Sequence, residues 1–241
     1  MESNFWTHID KIPSSAPSWV HEGFNRLLPY VQEFLTAKHP YRNGAVCPFM
    51  PKALRDKEVY FTYFSEVMHD GDVRRCVAES VEFFHSRNSD RQRAIIVIFP
   101  SGYDVKALLK AQIRSKTMCI KKHIMLGVLW SENAAPSLHC ERYYPLRTPV
   151  PVLVLRDLTA GDLIFLDPKH YTVFSRYKFL SAFVNKFEKS SKGNGFAARQ
   201  VEDALALKKY YKKQIFQASL KLSALLILLL GVVVFWGYQG Q

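Results

Sequence analysis

Cys47 is the residue best placed to do chemistry in this sequence. It stands in His39-Pro40-Tyr41-Arg42-Asn43-Gly44-Ala45-Val46-Cys47-Pro48-Phe49, where Gly44 permits a close backbone approach and Pro48 turns the chain away and leaves the sulfur approachable. A thiolate can bind haem iron and push electron density into it, which favours O–O cleavage. Haem on Cys47 would make the protein a redox enzyme, a haem-dependent monooxygenase acting on a small-molecule substrate. The alternative is that Cys47 is a small buried hydrophobe in a proline-bounded loop, the ordinary state of an unpaired cysteine. His39 and the pair His139-Cys140 are further candidates, as an axial ligand or a proton relay, because neutral imidazole is the commonest nitrogen ligand. A lone histidine is more often a structural or surface residue.

Arg142, Arg147 and Arg156 flank the later strand-forming runs and offer guanidinium forks for a carboxylate or phosphate substrate. Arg156 can equally pair with Asp157 or Asp162. Pro100-Ser101-Gly102-Tyr103-Asp104 sits where a strand hands over to a helix, and reads as an anion-holding turn or as a turn with Asp104 for N-cap. The four cysteines, Cys47, Cys76, Cys119 and Cys140, are widely spaced and read as reduced thiols. Gly-x-Ser-x-Gly, His-Glu-x-x-His, the dinucleotide fingerprint and the kinase motifs are all missing, which argues against several common enzyme classes.

The run from His39-Pro40 through Gly44-Ala45-Val46-Cys47-Pro48-Phe49 to Ala53-Leu54 resembles the signature of an uncharacterised domain family. That signature is a His-Pro, then Gly-x-Val-Cys-Pro-Phe, then an Ala-Leu pair. Phe99-Pro100 and Pro149–Arg156, with Asp162 and Phe165 following, extend the resemblance over residues 35–170. More distantly, Cys-Pro-Phe followed by Ala-Leu is similar to the YcgG-like family. Some members of that family are haem-dependent hydroxylases of guanidine or amine nitrogen, so the resemblance implies haem and oxidative chemistry.

These residues need a scaffold, and hydropathy patterning supplies one. Trp19–Lys38 has helical spacing interrupted by Pro29. Glu58–Phe64 reads as a strand, followed by a helix from Asp70 or Asp72 to about His85. Ala94–Phe99 is a continuous apolar run, expected for a strand buried on both faces. A helix over Asp104–Met118, strands at Met125–Trp130 and Val150–Leu155, and an amphipathic helix over Tyr171–Phe187 complete the series. The fold class expected is α+β, a single mixed-sheet domain with flanking helices plus one C-terminal transmembrane helix. The expected divisions are an N-terminal helical segment (1–38), the α+β domain with the Cys-Pro-Phe loop (39–168), basic amphipathic helices (169–217) and a transmembrane helix (218–238).

The last expectation comes from Leu222–Tyr238, a stretch without a charge that spans about 26 Å as a helix. Trp236 and Tyr238 stand where interfacial aromatics belong, and Lys208, Lys209, Lys212 and Lys213 precede the stretch. This pattern predicts a tail-anchored, single-pass protein with its N-terminal domain cytosolic and the lipid bilayer as a partner. Residues 1–168 carry 21 basic and 18 acidic side chains, whereas 169–221 carry 12 and 3, so the net charge of +12 is concentrated late in the chain. Anionic lipid is the expected counter-charge; no nucleic-acid partner is expected, since zinc-finger spacing, RNP motif and helix-turn-helix signature are missing. The rival to a redox enzyme is a non-catalytic membrane adaptor or binding protein in which the Cys-Pro-Phe loop is structural.

Overall fold

The protein is described by a computed structural model that covers residues 5–7, 12–64, 70–87, 91–189 and 195–239, with side chains described for these residues except 70 and 225–239. It divides into two compact units, Met1–Leu158 and Thr159–Gln241.

The first unit is built on a four-stranded sheet in the order β1-β2-β4-β3: β1 (Val59–Thr62), β2 (Ala94–Ile98), β3 (Ile124–Leu129) and β4 (Val152–Asp157). β1 pairs parallel with β2, and β4 runs antiparallel to both β2 and β3, so the sheet is mixed as the element order implied. Every residue of β2 is buried, which explains its unbroken apolar run. The period-two alternation of strand side chains divides them between two cores. Ala94, Ile96 and Ile98 join Val59, Phe61 and Val152 under Val20, Phe24, Leu27 and Val31, whereas Ile95 and Val97 join Leu126 and Leu153 under Val73, Val77, Leu108 and Ala111. Helices α1 (Ser18–Pro29) and α2 (Met50–Arg55) therefore cover one face, and α3 (Asp70–Ser86) and α4 (Val105–Lys121) the other. α1 approaches β2 so closely at Gly23 that a Cβ there would stand 3.1 Å from Ile98 Cγ2.

Pro29 ends α1, and the chain continues as a π-helical turn, Tyr30–Phe34, with the Leu35 N–H donating to the Tyr30 carbonyl at 3.0 Å. The other ambiguous junction resolves at Asp104, whose Oδ1 accepts from the Lys106 N–H at 2.9 Å and caps α4. Arg93 and Asp157 fasten the start of β2 to the end of β4: Asp157 accepts from the Arg93 backbone N–H at 2.8 Å and from its guanidinium at 3.1 and 3.2 Å.

The second unit begins with a 3-10 turn, Ala160–Phe165, closed by a capping box between Thr159 and Asp162. It continues through α5 (Val173–Phe187), capped by Thr172, into α6 (Phe196–Gln239), one uninterrupted helix of 44 residues. α5 packs on α6, with Phe179, Leu180, Phe183, Val184, Val201 and Ala204 buried. Asp167 Oδ1 accepts from the Tyr211 hydroxyl at 2.7 Å and from Arg176 at 3.3 Å, tying α5 and α6 to the preceding loop.

The expected transmembrane helix does not stand. Among the described residues no helix is long and apolar enough to cross a membrane. Of the expected span 218–238 the described side chains are those of 218–224, which are exposed and include the charged Lys221. The expected span itself, Leu222–Tyr238, lies mostly in 225–239, outside the described side chains. The tail-anchored, single-pass arrangement and the cytosolic placement that depended on it are withdrawn with it.

Candidate functional site

The proline-bounded loop before α2 is a tight hairpin. The His39 N–H donates to the Gly44 carbonyl at 2.8 Å, the Val46 N–H to Ala37 at 2.8 Å and the Cys47 N–H to Leu35 at 2.8 Å. Gly44 has φ +92°, a conformation that only glycine adopts without strain. Arg42 reaches back across the turn and donates to the carbonyls of Asn43, Ala45 and Val46, at 2.8, 2.6 and 3.1 Å. Its guanidinium supplements the single antiparallel bridge of this hairpin, Lys38 with Ala45.

The second half of the site is the connection between the adjacent antiparallel strands β3 and β4. Asn133 is buried and organises it: its Nδ2 donates to Val128 O at 3.4 Å, and its Oδ1 accepts from the Ala135 N–H at 2.9 Å. Beyond it the Ser137 N–H donates to Tyr143 O at 2.6 Å, folding 137–143 into a small turn.

The two loops meet at His39, which is 3% exposed. Its Nδ1 accepts from the Tyr41 backbone N–H at 3.0 Å, which assigns the proton to Nε2, and Nε2 donates to Ser137 Oγ at 3.2 Å. Ser137 Oγ also accepts from the His139 N–H at 3.2 Å. The His139 and Tyr143 rings stand edge-on to His39, with centroids at 5.6 and 5.1 Å. Burial lowers the His39 pKa below the ordinary histidine value, reinforced by the Arg42 cation and by His139, so the imidazole is kept neutral. Tyr41 is 55% exposed, and the neighbouring Cys140 thiol is the main cause that raises its pKa above the ordinary tyrosine value. Tyr30 donates to Pro145 O at 2.6 Å, and its pKa is raised by burial and by the neighbouring Cys47 and Tyr143.

Of the residues singled out from sequence, His39, His139 and Cys140 come together here. Cys47 lies beside Tyr30 and packs half-buried against the Phe24 and Phe61 core. Arg142 is exposed in the second loop. Arg147 donates from Nε to Asn133 O at 3.1 Å and covers the Tyr144 ring at 4.1 Å, whereas Arg156 lies over Phe49 at 5.4 Å and donates to Asp157 O. Sequence reasoning missed Tyr41, Ser137 and Tyr143, which carry no motif of their own; the tyrosine two residues after His39 was the one available signal.

A family model described as a domain of unknown function (DUF6875) matches residues 24–194, from within α1 past the end of α5. The chain belongs to this family. The DUF6875 match contains both loops of the site and the whole sheet. No curated protein and no solved structure matches the chain.

The DUF6875 site does not fit a haem on Cys47. A haem-binding thiolate needs a flat apolar slot beside the sulfur, and Cys47 instead packs against the core. A cavity of about 140 Å³ lined by Thr7, Gln32, Leu54, Lys57 and Val59 includes none of Cys47, His39 and His139. Among the described residues no three His, Cys, Asp or Glu side chains are arranged to hold a metal ion. The geometry gathers a neutral imidazole, phenols and a thiol on one face, a set suited to proton and electron transfer.

Proposed function

We propose that this DUF6875 domain is a redox domain acting on a small substrate at the face formed by the two loops, with Cys140 as the thiol that is oxidised. The observation that carries the reading is the cluster of Tyr41, His139 and Tyr143 rings around buried His39, which bonds to Ser137 in the turn that holds Cys140. Cys76 and Cys119 are a contrast, since burial pushes each of these thiols up to about 12 and leaves it inert. The similarity of Cys47-Pro48-Phe49 and Ala53-Leu54 to the YcgG-like family also favours oxidative chemistry.

The test is exposure of the full-length protein to hydrogen peroxide, followed by sulfenic-acid trapping with dimedone and mass mapping. Peroxide converts a thiol to a sulfenic acid with release of one water. The expected adduct is on Cys140, is lost in Cys140→Ser and forms more slowly in Tyr41→Phe. A Cys140 no more reactive than free cysteine would overturn the reading, and a Soret band that shifts with CO and disappears in Cys47→Ala would replace it with haem-thiolate chemistry.

A second reading is a non-catalytic binding module. Both ring nitrogens of His39 are engaged within the protein, as a structural histidine's would be. Under this reading Cys140 shows no enhanced reactivity, while Tyr41 and His139 still carry ligand binding.

A further inference from the structure

Outside this site, α6 carries four cations within six residues, Lys208, Lys209, Lys212 and Lys213. From Ala204 to Ala224 the helix carries five lysines and no acidic residue. One side of it is committed to the second unit through buried Val201, Ala204 and Tyr211. The opposite side is open: Lys209, Lys212 and Lys213 are exposed, and on the same strip at three- and four-residue spacing stand Phe216, 62% exposed, and Leu220, 54% exposed. On α5 the apolar residues Phe179, Leu180, Phe183 and Val184 are buried, and its one strongly exposed apolar side chain, Phe174, is covered by Lys178 at 3.9 Å.

We infer that this outer strip of α6 docks on an anionic lipid surface, the lysines meeting headgroup phosphates and carboxylates while Phe216 and Leu220 enter the acyl boundary. Two features choose this occupant. Cation density without any acid complements a negatively charged bilayer face, and long lysine stems let the cations sit at headgroup depth while the helix axis lies in the interface. The apolar pair one turn beyond the lysines is what a nucleic-acid backbone has no use for, since phosphate contacts are made by cations and hydrogen-bond donors.

The test is vesicle flotation of the full chain, comparing phosphatidylcholine vesicles with vesicles containing about 30% phosphatidylserine. Three lysines at an anionic surface are expected to give a preference for the anionic vesicles of about 100-fold, collapsing as salt rises from about 0.1 M to about 1 M. The triple variant Lys209→Glu, Lys212→Glu, Lys213→Glu should lose that preference while its circular dichroism matches that of the unaltered chain; these exposed side chains support no core. Phe216→Ser with Leu220→Ser should keep the preference but weaken binding to the anionic vesicles about tenfold, by loss of the apolar insertion. Equal binding to both vesicles, a triple variant that retains its preference, an unchanged Phe216 and Leu220 variant, or displacement from vesicles by duplex RNA would each overturn the inference.

Discussion

Burial of His39 beside Arg42 makes it a residue whose proton count differs between the folded and unfolded chain. Protonation at Nδ1 would break the bond from the Tyr41 N–H, so the folded state binds this proton less readily, in agreement with the lowered pKa. A histidine whose folded value is depressed contributes stability that is fully present above its unfolded value, about 6.5, and is lost as pH falls from there toward the folded value. The expected outcome is a melting temperature that drops on acidification from about pH 6.5 to about pH 5. His85, also lowered by burial and by Lys122 and Arg93, acts in the same direction, so the comparison must be made against a variant. His39→Asn keeps an acceptor for the Tyr41 N–H and carries no titrating proton, and differential scanning fluorimetry across that window should show a shallower slope for it. An identical slope in both proteins would mean that His39 titrates as it does in the unfolded chain.

At the scale of elements, the site depends on two loops that are held from within and not by regular secondary structure. Gly44 shows the consequence, since φ +92° is open to it and strained for any residue with a Cβ. An added Cβ would also lie 3.2 Å from Arg42 Nη1, the guanidinium that closes the turn. Gly44→Ala is therefore expected to cost about 1 to 2 kcal/mol in urea unfolding. Faster hydrogen exchange at the Tyr41 amide should accompany it, because the His39 pocket is built on this turn. The strands and helices around the loops were legible because burial writes a period: Ala94–Phe99 is apolar at every position because both faces of β2 are covered, and Tyr171–Phe187 shows its single buried stripe. The change to a π-helical turn after Pro29 was not legible, since proline announces only that the regular ladder must fail. Nor was the meeting of His39 with Ser137. It depends on where a polar connection between two neighbouring antiparallel strands folds back, and no periodicity records that. Cys47 stood out by its proline frame, which proved to fix a hairpin and seat the sulfur against the core.

At the scale of the whole molecule, the family match and the division into units do not coincide. The match runs over 24–194 and so crosses from the first unit, which ends at Leu158, into the second and through α5, stopping before α6. Yet α5 depends physically on α6. Phe179, Leu180, Phe183 and Val184 are buried in the α5 and α6 pair, and Tyr211 of α6 holds Asp167 and Arg176 through its hydroxyl. A helix of 15 residues is marginal on its own in water, where nucleation outweighs the few bonds gained. Removing residues 195–241 should therefore cost more helix than α6 itself contains: the loss in far-ultraviolet circular dichroism should exceed 44 residues' worth, α5 melting along with its partner. The first unit has its own sheet and two cores, so its cooperative unfolding transition and the reactivity of Cys140 should persist in the truncated chain. A helix loss limited to α6, with α5 intact, would show that the matched region is stable as it stands and that α6 is carried for its basic outer strip alone.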